Sequence, residues 1–321
     1  MPLTQEFSQA AQLINKAQRI IFTTHEKTDG DDLGSVLSIA QHCQKQGKDI
    51  EIIITGSVPS ALSDLKLSEL VKESSSNTNF DLLIISGCSN IERTNNQTIQ
   101  NLKIPTINFD HHPDNKLYAT INVVDATKSS VAELIYDFFK FNDWEINKDI
   151  AQCLLTGIIT DTGVLQHSNT QASTLAAASE LMQHGASIHH VVQKSFTRQS
   201  IQSLRAWAVA LENSYFNPEN KMIYSIITQE QLASLGNPEL NVFEGVVETL
   251  NKVPEAKFAM FLKEDDGRIK GSLRSDPFKG IDVKNIAQKL GGGGHKWAAG
   301  FSMFGKLAKQ SNGKWEITKQ I

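Results

Sequence analysis

Short β-branched runs recur through the first 110 residues: "RIIFTT" (19–24), "IEIIIT" (50–55), "FDLLIIS" (80–86) and "PTINF" (105–109). Each is short, apolar and set off by polar segments, the pattern of a buried strand. Between and after them apolar positions recur at helical spacing. "LGSVLSIAQHCQKQG" places Leu33, Val36, Leu37 and Ala40 on one face and stops at Gly47, and "SVAELIYDFF" (130–139) repeats the pattern. The opening "MPLTQEFSQAAQLINKAQRI" reads as an amphipathic helix. Strands alternating with helices predict an α/β fold, a mostly parallel sheet flanked by helices.

The pattern then changes. "SFTRQSIQSLRAWAVALEN" (195–213) is poor in Gly and Pro and predicts one connecting helix. Beyond it "KMIYSIIT", "EAKFAMFLKE" and "RIKGSLRS" predict strands, and "NVFEGVVETL" and "DVKNIAQKL" helices, of a second, smaller α/β domain. The expected organisation is a domain over 1–194, a helical linker over 195–214 and a domain over 215–321. A chain of 321 residues is long for one core, which agrees with two.

Composition narrows the class. With 40% hydrophobic and 21% charged residues and no apolar run near the roughly 20 residues of a membrane span, a soluble protein without membrane partners is expected. The N-terminus has no signal-peptide core, and Cys43, Cys88 and Cys153 lack CxxC spacing, so neither a zinc ribbon nor a disulfide framework is expected. A reducing cytoplasm fits. The net charge of −4 argues against a nucleic-acid coat protein. The charge is uneven: 15 basic and 12 acidic residues from Tyr215 onward, against 16 and 23 before it. That division suits cations held in the first part and an anion gripped by the second.

The acidic excess has a focus. "HEKTDGDDLGS" (25–35) follows the first strand and crowds Asp29, Asp31 and Asp32, which is costly unless a cation or water compensates them. "FDHHPDN" (109–115) puts His111 and His112 at another strand end, and "TGIITDTG" (156–163) adds Asp161. In parallel sheets, ligands bind beyond such carboxyl ends. Imidazole and carboxylate together suit Mn²⁺ or another borderline divalent ion better than Ca²⁺. Near the C-terminus "LGGGGHKWAAGF" (290–301) strings four glycines before His295. The expectation is that they serve a ligand rather than packing, turning backbone N–H groups onto an anion. "GSLRSD" adds Arg274, a planar donor for phosphate, followed by Ser275.

Taken in order, "HEKTDGDDLGS", "FDHHPDN", "TGIITDTG" and "GGGGHKWAAGF" resemble the successive motifs of the DHH phosphoesterase family with a DHHA1 C-terminal domain. The compact length resembles its nano-RNase type, which trims very short oligonucleotides and dephosphorylates 3′-phosphoadenosine 5′-phosphate. The resemblance implies a DHH catalytic domain, a DHHA1 substrate-binding domain, a site in the cleft between them, and one or two Mn²⁺ ions, with Mg²⁺ as a substitute. It implies that His25 and Asp29 hold the first ion and that Asp31, His111 and Asp161 hold the second. His112 would act as general acid or phosphate donor, oriented by Asp110. Arg274, Ser275, Gly292, Gly293, Gly294 and His295 would bind the substrate, a short oligonucleotide or nucleotide. A homodimer is left open.

One motif departs from that family. Its second motif ends in an aspartate that bridges both metals, and here "DLLIISGCSN" has Gly87 at that position. Glycine offers no ligand, so the first site keeps two protein ligands against three in the second. The alternative to an enzyme is therefore a catalytically impaired protein that binds a nucleotide or short single strand.

Overall fold

The apolar runs do become strands. In the computed structural model, which describes residues 3–77, 79–195, 200–238, 240–309 and 315–318, the chain divides into two units, 1–198 and 199–321.

The N-terminal unit holds β1 (Arg19–Thr24), β2 (Asp49–Ile53), β3 (Val71–Lys72), β4 (Leu82–Ser86), β5 (Thr106–Asp110) and β6 (Ile121–Val124) in the order β3-β2-β1-β4-β5-β6. Every neighbouring pair is parallel. Its helices are α1 (Thr4–Lys16), α2 (Gly30–Lys45), α3 (Gln97–Gln100), α4 (Val131–Phe141), α5 (Lys148–Asp161), α6 (Ala172–Gln183) and α7 (Ile188–Ser195). Strand side chains alternate between two faces. Ile20 and Phe22 of β1 join the larger core with Phe109, Phe138 and Phe139, while Ile21 joins a smaller cluster with Ile53, Leu83, Ile85 and Cys88. Both faces are covered, which is why β4 is buried throughout and apolar from Leu82 to Ile85 rather than alternating.

Helix α2 is buried from Gly30 to Cys43 because α5 lies against it. A Cβ at Gly34 would overlap the Cys153 carbonyl, so the two helices approach backbone to backbone. This close crossing brings the start of α2 and the end of α5 to one place. All three cysteines are buried free thiols. Among the described residues no helix is long and apolar enough to cross a membrane.

The second unit holds α8 (Ile201–Glu212), β7 (Ser214–Asn217), β8 (Met222–Ile227), α9 (Gln229–Ser234), α10 (Val246–Asn251), β9 (Phe258–Asp265), β10 (Arg268–Arg274), α11 (Val283–Lys289), β11 (Gly293–Gly294) and β12 (Ala298–Phe304), then the hairpin β13 (Lys306–Lys309) and β14 (Trp315–Thr318). Its main sheet runs β11-β12-β10-β9-β8-β7, with β8 and β9 parallel and the rest antiparallel.

The single helix expected over 195–213 is two. Helix α7 ends at Ser195, residues 196–199 lie outside the described ones, and α8 starts afresh after Ser200, whose hydroxyl accepts from Ser203 N at 2.9 Å. Such a cap begins a helix, and periodicity alone does not reveal it. Ala206 and Ala210 of α8 are fully buried in the second unit's core, so this helix is part of that unit rather than a free connector.

Candidate metal centre

The sheet order of the N-terminal unit reverses between β1 and β4, and in open α/β sheets ligands bind in the crevice beyond such a reversal. Thr24 pairs with Ser86, and Ser86 with Phe109. His25, Gly87 and Asp110 therefore follow at the ends of three adjacent strands.

The acidic loop is organised by α2. Asp29 caps it, with Oδ1 accepting from the N–H groups of Asp31 and Asp32 at 3.0 Å each. That fixes the next two carboxylates on the first turn of a buried helix. Asp31 is buried and accepts from Val131 N at 2.7 Å and Ala132 N at 2.8 Å, the first amides of α4. A helix N-terminus suits a carboxylate, yet burial, with Asp161 nearby, pushes Asp31 well above the usual carboxylate range. Asp32 is 3% exposed and is pushed up by burial and by Asp29.

His25 is nearly buried, with Nε2 2.6 Å from Asp32 Oδ2 and 4.0 Å from Asp29 Oδ2. Its Nδ1 accepts from Lys27 N at 3.1 Å, which assigns the ring proton to Nε2, toward Asp32. Burial lowers its pKa, with Asp29 working the other way.

His111 has the opposite tautomer. Its Nδ1 lies 3.2 Å from the Lys128 carbonyl and donates to it, so Nε2 carries a lone pair, 3.9 Å from Asp161 Oδ2. Asp161 is the last residue of α5, where the helix dipole disfavours a carboxylate, and burial raises its pKa against the pull of His111. Asn169 Nδ2 donates to its Oδ2 at 3.2 Å.

Two groups result. His25, Asp29 and Asp32 offer ligand atoms within 4.8 Å of one another, and so do Asp31, His111 and Asp161. Three carboxylates pushed upward by burial, beside an imidazole whose lone pair points among them, form a donor set short of positive charge. Such a set fits a divalent cation, and its imidazole content fits Mn²⁺ better than Ca²⁺.

His112 stands beside these groups. Asp110 is fully buried, and its Oδ1 accepts from His111 N at 2.8 Å, His112 N at 3.2 Å and His112 Nδ1 at 2.6 Å. Asn115 Nδ2 donates to Oδ2 at 2.5 Å. Burial works to raise the Asp110 carboxyl, but the His112 and Asn115 hydrogen bonds outweigh it and hold the group below its usual range. The aspartate of the His-His turn is its keystone, and the His112 side chain, 27% exposed, keeps its Nε2 outside these hydrogen bonds.

In the C-terminal unit the candidate substrate residues are more engaged than expected. The Arg274 guanidinium pairs with Glu248 at 2.8 Å, and its Nη1 donates to the Leu273 carbonyl at 2.9 Å. Ser275 is buried and donates to the Lys257 carbonyl at 2.9 Å. The glycine run is corrected in one respect: it does serve packing. A Cβ at Gly292 would come within 2.6 Å of Phe301 Cα, and one at Gly294 within 2.6 Å of Ala299 Cα. The N–H groups of Gly292 and His295 donate to the Ala287 and Ala298 carbonyls, both at 2.8 Å, rather than facing outward. A four-glycine string looks idle in sequence because the partner strand β12 that crowds it is visible only in the fold. Gly293 has open space around its Cβ position, and the His295 side chain is exposed.

Sequence reasoning passed over Asp32, Asn115 and Asn169. Asn115 and Asn169 carry no signal beyond proximity to the motifs. Asp32 did carry one: an additional acid directly after Asp31, in a chain lacking an acid at position 87.

The comparisons with known proteins come to the same place. The DHH family N-terminal domain matches residues 19–158, and the DHHA1 domain matches residues 225–311. The bifunctional oligoribonuclease and PAP phosphatase NrnA of Bacillus subtilis is 28% identical over 290 residues, covering 89% of this chain and 89% of its own. A probable manganese-dependent inorganic pyrophosphatase of Streptococcus agalactiae is 27% identical over 178 residues, 51% of this chain and 54% of its own. Among solved structures, an exopolyphosphatase-related protein of Bacteroides fragilis superposes with a TM-score of 0.86 over 94% of this chain and 92% of its own, at 23% identity, and so shares the fold.

Proposed function

This chain belongs to the DHH family and carries its DHHA1 domain, and from that premise we propose that it is a Mn²⁺-dependent phosphoesterase acting on short oligonucleotides and nucleoside bisphosphates. The observation that carries the reading is the pair of ligand groups gathered at the β1–β4 reversal. The substrate class rests on the resemblance to a relative named as an oligoribonuclease and PAP phosphatase over most of both chains. Mn²⁺ rests on the mixed imidazole and carboxylate set and on the similarity to a manganese-dependent pyrophosphatase.

In this reading His25 and Asp29 would hold one ion, with the His25 ring proton moved from Nε2 to Nδ1 and the hydrogen bond from Lys27 N released, and Asp31, His111 and Asp161 would hold the other. Bound Mn²⁺ supplies Lewis acidity, lowering the pKa of water and offsetting charge on phosphoryl oxygens. The remaining work falls to the chain. The Lys128 carbonyl keeps His111 in the tautomer that offers Nε2. Asp110 accepts from His112 Nδ1 and so holds the ring with Nε2 free, which in the doubly protonated ring would donate to the leaving oxygen. The amides of Val131 and Ala132 fix the Asp31 carboxylate in place. In the C-terminal unit the exposed His295 is the better-supported phosphate contact, because Arg274 would first have to release Glu248.

The second reading, binding without turnover, rests on Gly87. Incubation with Mn²⁺ and an RNA dinucleotide, and separately with a nucleoside 3′,5′-bisphosphate, distinguishes the two. Release of mononucleotide or phosphate, abolished by EDTA, is expected. Tight binding of both compounds with no product from either would overturn the enzyme reading in favour of the second.

A further inference from the structure

The glycine that leaves the first metal group short of a ligand stands against the acid that sequence reasoning passed over. Gly87 has φ +66°, and a Cβ built there would overlap Oδ1 of Asp32, 2.5 Å from its Cγ and 3.0 Å from its Oδ2. Those Asp32 atoms are the three nearest neighbours of that position. The space a side chain at 87 would enter is therefore filled by a carboxylate from the first turn of α2. Register explains how: Thr24–Ser86 pairing sets the residues after β1 and β4 side by side, and α2 starts from the loop that follows β1.

Two further observations concern the carboxylate itself. Asp32 is 3% exposed, with Oδ2 facing His25 Nε2 at 2.6 Å. A carboxylate buried to that degree is costly unless a positive group compensates it. Asp32 also lies within 4.8 Å, ligand atom to ligand atom, of His25 and Asp29.

We propose that Asp32 is a direct ligand of the cation held by His25 and Asp29, and that the chain has moved a metal-binding carboxylate from the end of β4 to the start of α2. The inference rests on the metal-dependent reading above, and it deepens that reading. Gly87 and Asp32 are then a complementary pair: glycine at 87 is the condition for an acid at 32. The first site regains a third protein ligand, so the loss at position 87 does not mark a decayed centre.

The test is a metal count, which does not depend on turnover. Equilibrium dialysis against Mn²⁺ with elemental analysis should give two ions per wild-type chain. Asp32→Asn keeps the shape and removes the anion, and it should retain one ion and bind the other at least about tenfold more weakly. Asp32→Asn that binds two ions with wild-type affinity overturns the proposal, as does a wild-type chain whose only ion survives that substitution. A role limited to orienting His25 predicts that the neutral amide, still able to accept from Nε2, leaves the count unchanged. The exchange Asp32→Ala with Gly87→Asp supplies a second arm, since aspartate is among the few residues that tolerate positive φ. It should recover the ion that Asp32→Ala loses, whereas a folded exchange variant no better than Asp32→Ala counts against the proposal. If it does not fold, Asp32→Asn decides alone. Two ions without hydrolysis would sink the enzyme reading and leave this one standing.

Discussion

His112 Nδ1 lies 2.6 Å from Oδ1 of Asp110, a carboxylate with no exposed surface that also receives the backbone N–H groups of His111 and His112. One buried acid therefore sets both the shape of the turn and the orientation of its second imidazole. His112→Ala should lower kcat by about 10²-fold or more, in the range for loss of a general acid, while the Mn²⁺ count stays at the wild-type value. Kinetics on a dinucleotide together with metal analysis checks both halves. A large fall in metal content would make His112 a ligand instead.

The first two aspartates of the first loop should differ in what they do for the fold. Asp31→Ala strands two buried amides of α4, at a cost of about 2–4 kcal/mol, whereas Asp29→Ala loses an N-cap worth about 1 kcal/mol. Urea denaturation in EDTA isolates these terms from metal binding. Equal losses for the two variants would contradict the assignment.

His42 offers a pH signature remote from the metal centre. It is stacked on Trp144 at 3.7 Å, and burial, with Lys48 and Lys45 nearby, lowers its pKa from 6.5 to about 4. The unfolded chain takes up a proton where folded His42 stays neutral. Its contribution is therefore intact above pH 6.5 and is lost as pH falls toward 4, by roughly 3 kcal/mol at most. His42→Gln should flatten the difference in unfolding free energy between pH 7 and pH 4.5. A slope as steep as that of the wild type would contradict it.

In the C-terminal unit, neighbouring glycines should respond in opposite ways. Gly292→Ala forces a methyl into Phe301 and should cost about 2 kcal/mol or more, while Gly293→Ala meets open space and should stay within about 0.5 kcal/mol. Thermal unfolding of both variants tests the pairing with β12.

These cases show where the sequence was legible. The central strands β1, β4 and β5 announce themselves because they are buried on both faces, and β3 and β6, two and four residues long, do not. Asp31, His111 and Asp161 could be picked out as candidates because Asp31 begins α2, His111 follows β5 and Asp161 ends α5. The relation between Asp32 and Gly87 was hidden because the residues are far apart in sequence and meet only through strand register. The packing of Gly292 and Gly294 was hidden because it depends on the pairing of β11 with β12, which a run of glycines does not announce.

The central claim is that the gathered acids and imidazoles make a hydrolytic centre. The most direct measurement is the initial rate of mononucleotide release from a labelled RNA dinucleotide in Mn²⁺, for the wild type and for Asp161→Asn. The account predicts multiple turnovers by the wild type and a rate at least about 10²-fold lower for a folded Asp161→Asn. Equal rates for the two proteins, or no release by a wild type shown to carry its Mn²⁺, would contradict it.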